Sequence, residues 1–267
     1  MSVYVFDQAW QQERDRLGAL ESLFDRATRR YLTELGLRPG WRCLEVGCGA
    51  GGVALWLADQ VGTGGQVTAT DLDPRFLDGH GRPNLDVRVH DVVTDPLASG
   101  AYDLIHTRAV LTHLPDRERV LARLVDALRP GGVILVEDVD FGGSSAGVLG
   151  RCVSAPDPLP AIAQRMFLAV AAVFGAVGAD PMLGTRLPGA LAGAGLLDVG
   201  AELHAPIVPG GAETWTGGSL AQLRGRLLEL GLAGAAEVDL ALAMFDDPTV
   251  FHAPPLMVSA WGRRGSG

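Results

Sequence analysis

The chain has no lysine: all 22 of its basic side chains are arginine. A Tyr-x-x-x-Lys pair, which an NAD-dependent dehydrogenase or a nucleotide-sugar epimerase would need, therefore cannot be formed. Cysteine is scarce, at positions 43, 48 and 152 only. Three is an odd number and the spacing suits no metal, so a reduced, cytoplasmic setting is the simplest expectation. The basic excess that nucleic-acid binders carry is missing too, because the formal net charge is −9. No apolar run reads as long enough to span a bilayer, and the first residues lack the basic-then-apolar pattern of a secretory signal. Neither nucleic acid nor membrane is an expected partner. At 267 residues the chain suits one large α/β domain with insertions.

What is present begins with Leu44-Glu45-Val46-Gly47-Cys48-Gly49-Ala50-Gly51-Gly52. The apolar run Trp41 to Leu44 precedes it, and Val53-Ala54-Leu55-Trp56-Leu57-Ala58 follows with helical spacing. The pattern predicts a strand, a glycine-rich turn and a helix, the opening of a nucleotide-binding α/β unit. Glycine lets the backbone turn sharply and lie close to a ligand. Glu45 narrows the ligand class, because a pyrophosphate gains nothing from a neighbouring carboxylate, whereas an ammonium or sulfonium does. Val67-Thr68-Ala69-Thr70-Asp71 reads as a second strand ending in an acid able to hold ribose hydroxyls. Leu85 to His90 alternates like a third strand and runs into Asp91-Val92.

The spacing Glu-x-Gly-x-Gly-x-Gly resembles motif I of the class I S-adenosylmethionine (SAM)-dependent methyltransferases. The rest of the pattern extends the resemblance. Ala101-Tyr102-Asp103-Leu104-Ile105-His106 with Leu111-Thr112-His113-Leu114-Pro115-Asp116 is similar to the fourth strand and its continuation in small-molecule members. Leu128-Arg129-Pro130-Gly131-Gly132 before the buried run Val133 to Asp138 is similar to the approach to strand five. The match covers roughly residues 30–140. It implies a seven-stranded, mostly parallel Rossmann-like α/β sheet with helices on both faces and helical lid insertions. It also implies SAM as cofactor and S-adenosylhomocysteine (SAH) as product. The cofactor would be held by Glu45, Gly47, Cys48, Gly49, Gly51, Asp71, Leu72, Asp91, Val92 and Thr107, with Leu72 and Val92 against the adenine. Tyr4 joins them if the N-terminal segment folds over the cofactor.

The whole chain is read as one methyltransferase domain, 1–267. Within it 1–36 forms a helical cover, and 142–186 and 209–250 are lid insertions bordering the acceptor pocket. Trp215, Met244, Phe245 and Phe251 are the expected apolar contacts. His113 and Asp138 match the places beside the acceptor in similar O-methyltransferases, although Thr112 stands where some relatives have a second His. His106 is the third catalytic candidate and could equally touch the methionine part of SAM. Strand four ends His106-Thr107-Arg108 and no Asp-Asn pair follows strand five, so no metal is expected. The activity implied is methyl transfer to a small, largely apolar metabolite, as in O-methyltransferases of bacterial natural-product biosynthesis. A non-methylating cyclisation or decarboxylation on the same fold, transfer to carbon or nitrogen, and a homodimer stay open.

Overall fold

The computed structural model describes residues 5–6, 9–141, 154–211 and 214–266. Tyr4 and the first part of the 142–186 insertion lie outside the described residues. Seven strands form one sheet: β1 (Arg42–Val46), β2 (Gln66–Asp71), β3 (Leu85–Val89), β4 (Tyr102–Arg108), β5 (Leu128–Asp140), β6 (Leu197–His204) and β9 (Leu256–Arg263). A two-residue ladder pairs β7 (Val208–Pro209) with β8 (Phe251–His252). In the large sheet the order is β3-β2-β1-β4-β5-β9-β6, parallel except for β9, which runs antiparallel to both neighbours. This is the mostly parallel α/β sheet the motifs predicted.

The helices are α1 (Glu13–Glu34), α2 (Gly52–Val61), α3 (Arg117–Ala127), α4 (Leu159–Ala176), α5 (Leu187–Gly193), α6 (Trp215–Glu229) and α7 (Ala235–Asp246). Leu44, Ile105, Ile134 and Val136 pack against α3 and α5 on one face of the sheet, while Cys43, Leu104, Val133 and Leu135 pack against α2 and α1 on the other. Burial on both faces explains why the central strands read as unbroken apolar runs. A third cluster joins α1, α4, α6 and α7 over the ends of β5 and β9, with Phe24, Val139, Phe167, Leu223, Phe245 and Met257 at its centre.

Two boundaries depart from the sequence reading. Helical spacing begins near residue 7, but α1 begins at Glu13, where the Glu13 amide closes a turn on the Trp10 carbonyl. The Leu-Arg-Pro-Gly-Gly stretch opens β5 itself rather than forming a separate turn. A third departure concerns apolar length. With mean hydropathy 1.6 over 18 residues, α4 is long and apolar enough to cross a membrane, contrary to the expectation of no such run. Here Ile162, Met166, Phe167, Val170 and Phe174 are buried in the helical cluster.

The far end of α1 reaches distant parts of the sequence. Arg30 and Tyr31 both donate to the Glu202 carboxylate on β6, and Tyr31 stacks on Trp261 of β9 at 5.7 Å between centroids.

Candidate active site

The crevice opens where strand order reverses between β1 and β4, the place where doubly wound sheets bind ligands. Its floor is the turn after β1. The Gly47 and Cys48 amides donate to the Thr70 carbonyl at 2.8 and 3.0 Å, and the Gly51 amide to the Cys48 carbonyl, fastening the turn to β2 and to itself. Gly47 has φ +74°, and a Cβ there would sit 2.3 Å from Val110 Cγ2. Asp71, at the end of β2, accepts from the Gly49 amide at 3.0 Å and the Asp73 amide at 3.1 Å while lining the crevice. Burial pushes its carboxyl above the ordinary value, against those amide bonds. A diol placed there would meet a carboxylate already aimed by its own loop.

Glu45, Gly47, Cys48, Gly49, Asp71, Leu72, Asp91 and Val92 all line this crevice. Two residues expected with them do not. Gly51 is the N-cap of α2, where a Cβ would lie 2.3 Å from Leu77 Cδ2, so packing fixes that glycine. Thr107 is wholly buried, and its hydroxyl has no hydrogen-bond partner. The period-two alternation of β4 sends its side chain, like that of Ile105, away from the α1 face.

Helix α1 roofs the crevice, and it contributes two acids that sequence reasoning missed. The Gly52 amide, first in α2, donates to Glu21 Oε1 at 2.8 Å. A Cβ on Gly52 would come within 2.8 Å of Asp25 Oδ2 and 2.9 Å of Glu21 Cδ. The N-terminus of α2, the position that holds pyrophosphate in dinucleotide folds, is thus already occupied by a carboxylate from α1. A phosphate would meet the Glu21 carboxylate, whereas a cationic ligand would be welcomed; Asp25 is ion-paired with Arg29 and Arg108. The one sequence signal was the spacing of Glu21 and Asp25, four apart and so on one face of α1.

His106 does not reach the crevice, which corrects its assignment as a catalytic candidate. Completely buried, it bridges Glu45 through Nδ1 at 2.7 Å and Glu137 of β5 through Nε2 at 3.0 Å. Thr28 of α1 and Ser259 of β9 donate to the same Glu137 carboxylate. Arg108 adds bonds to Thr28 and Asp25 at 3.0 and 2.8 Å. Burial alone would lower the imidazole, but Glu45 and Glu137 outweigh it and hold its pKa up at about 9. Glu137, despite burial, is kept below the usual carboxylate range by His106 and Arg108. The cluster is a charged joint between α1 and four strands, β1, β4, β5 and β9, under the crevice floor.

Beyond the glycine turn the crevice widens into a chamber walled by Phe6, Phe141, Phe167, Phe174, Trp215 and Phe245. Trp215 and Phe245 thus stand where the apolar contacts were expected. Met244 is buried in the helical cluster and Phe251 is half exposed, and neither lines the chamber.

His113 lines the crevice from the turn after β4, with Phe174 at 5.2 Å and Phe6 at 6.1 Å between ring centroids. Burial and the positive charge of Arg16 lower its pKa to about 3, so the ring is neutral at working pH. Asp138, expected beside it, does not line the crevice: it faces away from α1, its Oδ2 accepts from the Thr112 amide at 3.3 Å, and Oδ1 has no partner. Burial holds this carboxyl up at about 8. A His113–Asp138 pair, which their places just beyond adjacent strands four and five made plausible, is not formed, because β5 alternation gives the α1 face to Glu137 and Val139 instead.

Arg123 of α3 is a further residue the sequence reading passed over. It donates to the Val92 and Val93 carbonyls at 2.7 and 2.6 Å, and to the Asp95 carbonyl, clamping the loop that carries Asp91 and Val92. Arg123→Met should raise the SAM dissociation constant about 3–10-fold by loosening that wall, the scale of one or two lost hydrogen bonds. Calorimetry at constant salt reads the change. An unaltered constant would show that the loop holds its shape without the clamp.

Comparison with known proteins agrees with this geometry. A family model described as "Methyltransferase domain" matches residues 44–136. The chain is 31% identical over 176 residues to methyltransferase str2 of Strobilurus tenacellus, covering 64% of this chain and 59% of that protein. It is 30% identical over 157 residues to the 27-O-demethylrifamycin SV methyltransferase of Amycolatopsis mediterranei, covering 54% and 57%. The chain thus spans less than two thirds of the length of these curated relatives. Among solved structures, the 4+2 cyclase SpnF shares the fold at TM-score 0.54 and 19% identity, over 91% of this chain and 81% of that one.

Proposed function

We propose that this chain, which belongs to the class I SAM-dependent methyltransferase family, moves the methyl group of SAM to a hydroxyl of a small, largely apolar molecule. One observation carries the reading: the acid-rimmed crevice, with Glu21 already seated on the α2 N-terminus, opens directly onto an aromatic chamber that contains an imidazole.

The residues present fit SAM. All of these line the crevice, and in this reading Asp71 takes the ribose hydroxyls, Leu72 and Val92 the adenine, Asp91 its amino group, and the Gly47–Gly49 turn with Glu45 the amino-acid arm. When bound, SAM supplies a methyl on a sulfonium, electrophilic enough that alignment and exclusion of water are the main tasks left to the protein. The aromatic walls exclude water. His113, neutral under working conditions, accepts the hydrogen bond of the acceptor hydroxyl at Nδ1 or Nε2 and takes its proton as the new bond forms.

Calorimetry should show binding of SAM and SAH and far weaker binding of ATP and NADH, whose phosphates would face Glu21. Asp71→Ala should weaken SAM by about 1.5–3 kcal/mol, roughly 10–150-fold, the scale for bonds to a charged group. Affinity that is unchanged, or NADH binding as tight as SAM, would sink the assignment. Activity is read as SAH release with hydroxylated apolar compounds. Consumption of the acceptor without SAH would instead favour a cyclising or decarboxylating reaction on the same fold.

A further inference from the structure

The first turn of α6 carries three hydrogen-bonding atoms without a partner: Trp215 Nε1, Thr216 Oγ1 and Ser219 Oγ. Trp215 and Thr216 are only 6% and 7% exposed, and all three residues line the crevice. Positions 215 and 219 stack one turn apart with 216 beside them, so the three share one face of the helix. Hydroxyls on α1 behave differently. Ser22 and Thr33 each donate to the carbonyl four residues back, at 2.9 and 2.7 Å, and Thr28 donates to Glu137. Ser219 has the same option with the Trp215 carbonyl and does not use it. An unsatisfied buried polar atom is costly, and three on one turn of a crevice wall mark a place where a ligand supplies what is missing.

The neighbours restrict what that ligand group can be. Leu220, Phe167, Met166 and Phe245 line the same crevice and share one apolar cluster with Trp215. Arg16 packs its stem against Gly218, whose Cβ would lie 3.5 Å from Arg16 Cγ, but its guanidinium is matched in two bonds by Glu13, at 2.8 and 2.6 Å. An anionic group would find no uncompensated cation there. An indole N–H can only donate, and two hydroxyls can donate with it. We propose that this turn is an acceptor-orienting subsite that receives a neutral carbonyl oxygen of an apolar acceptor. Trp215, Thr216 and Ser219 then determine specificity for ketone, ester or lactone-bearing substrates. The inference rests on the methyltransferase reading in taking the chamber as the acceptor side.

A pair of probes of matched shape tests it: 2-acetonaphthone and 2-ethylnaphthalene, one with the oxygen and one without. Each is titrated into the full chain after SAH binding has been measured on the same sample. The ketone should bind at least about tenfold more tightly, the scale for partnering buried donors. Thr216→Val with Ser219→Ala should bring the ratio close to one by weakening the ketone alone, and Trp215→Phe should reduce it in part. Melting curves check that each variant is folded, and the wild-type ratio stands independently of them. A wild-type ratio near one, no binding of either probe, or a ratio untouched in folded variants overturns the subsite. SAH binding with a ratio near one removes the subsite alone. A ketone preference in a protein that binds no SAH keeps the subsite and removes the methyltransferase reading.

Discussion

His106→Ala should lower folding stability by about 3–5 kcal/mol, the usual result of taking the cation out of a buried ion cluster and leaving its carboxylates uncompensated. Glu45 and Glu137 would both be left in the sheet without their shared imidazolium. Urea unfolding reads the effect as a lower midpoint at similar slope. The wild-type protein should also show the group in its pH dependence. The imidazole pKa is raised on folding from 6.5 to about 9. Its stabilisation is therefore whole below pH 6.5 and is lost as pH rises through about 9, on the order of 3 kcal/mol in all. Asp138, held up at about 8, contributes its own loss on rising pH, up to pH 8, and the His106→Ala variant keeps that share. A variant as stable as wild type, with the same slope above pH 8, would show that His106 is neutral and merely fills space.

The second large effect is on turnover. His113→Ala should lower kcat by about 10²–10⁴-fold with little change in SAM affinity, the range for removing a proton acceptor in direct contact with the reacting group. The pH profile gives an independent reading. An ordinary histidine base loses activity below about pH 6.5, but burial and Arg16 depress this one to about 3. The acid side of the profile should therefore stay level to roughly pH 4–5, as far as the fold survives. Full activity in His113→Ala would leave alignment alone to drive the transfer and would point to nitrogen or carbon as the methyl acceptor. Loss of SAM binding would place the ring on the cofactor side.

The strand ends were legible because each motif couples an apolar strand to a polar residue at its tip, and parallel topology carries those tips to one edge. Asp71, Asp91 and the Gly47–Gly49 turn follow from that rule. Side-chain direction was the weak point. His106 and Asp138 both lie near strand ends, and only alternation within β4 and β5 tells which face each one takes. For a strand buried on both faces the sequence shows no polar-apolar rhythm from which to read that alternation. Glu21 and Asp25, whose spacing was the one signal, and Arg123 were missed for a different reason: on an amphipathic helix an acid or arginine looks like solvated surface until the partner backbone is in place. The orphaned hydroxyls of α6 have no sequence signature, since Thr and Ser in a helix usually satisfy themselves.

The contacts of α1 with Glu202 and Trp261 set an order of events in synthesis. Thr28 also depends on Glu137, so these anchors of α1 leave the ribosome well after it does. The helix rests on α2 and the sheet face from early on, but its far end is fastened only when β6 and β9 arrive, and such distant pairings form slowly. The glycine turn and its strands can assemble early. The Glu21 carboxylate that repels phosphate belongs to the early part, because its partner Gly52 follows α1 closely in sequence. A nascent chain therefore passes through a stage in which the crevice already has its selectivity while the far end of its roof is still unfastened.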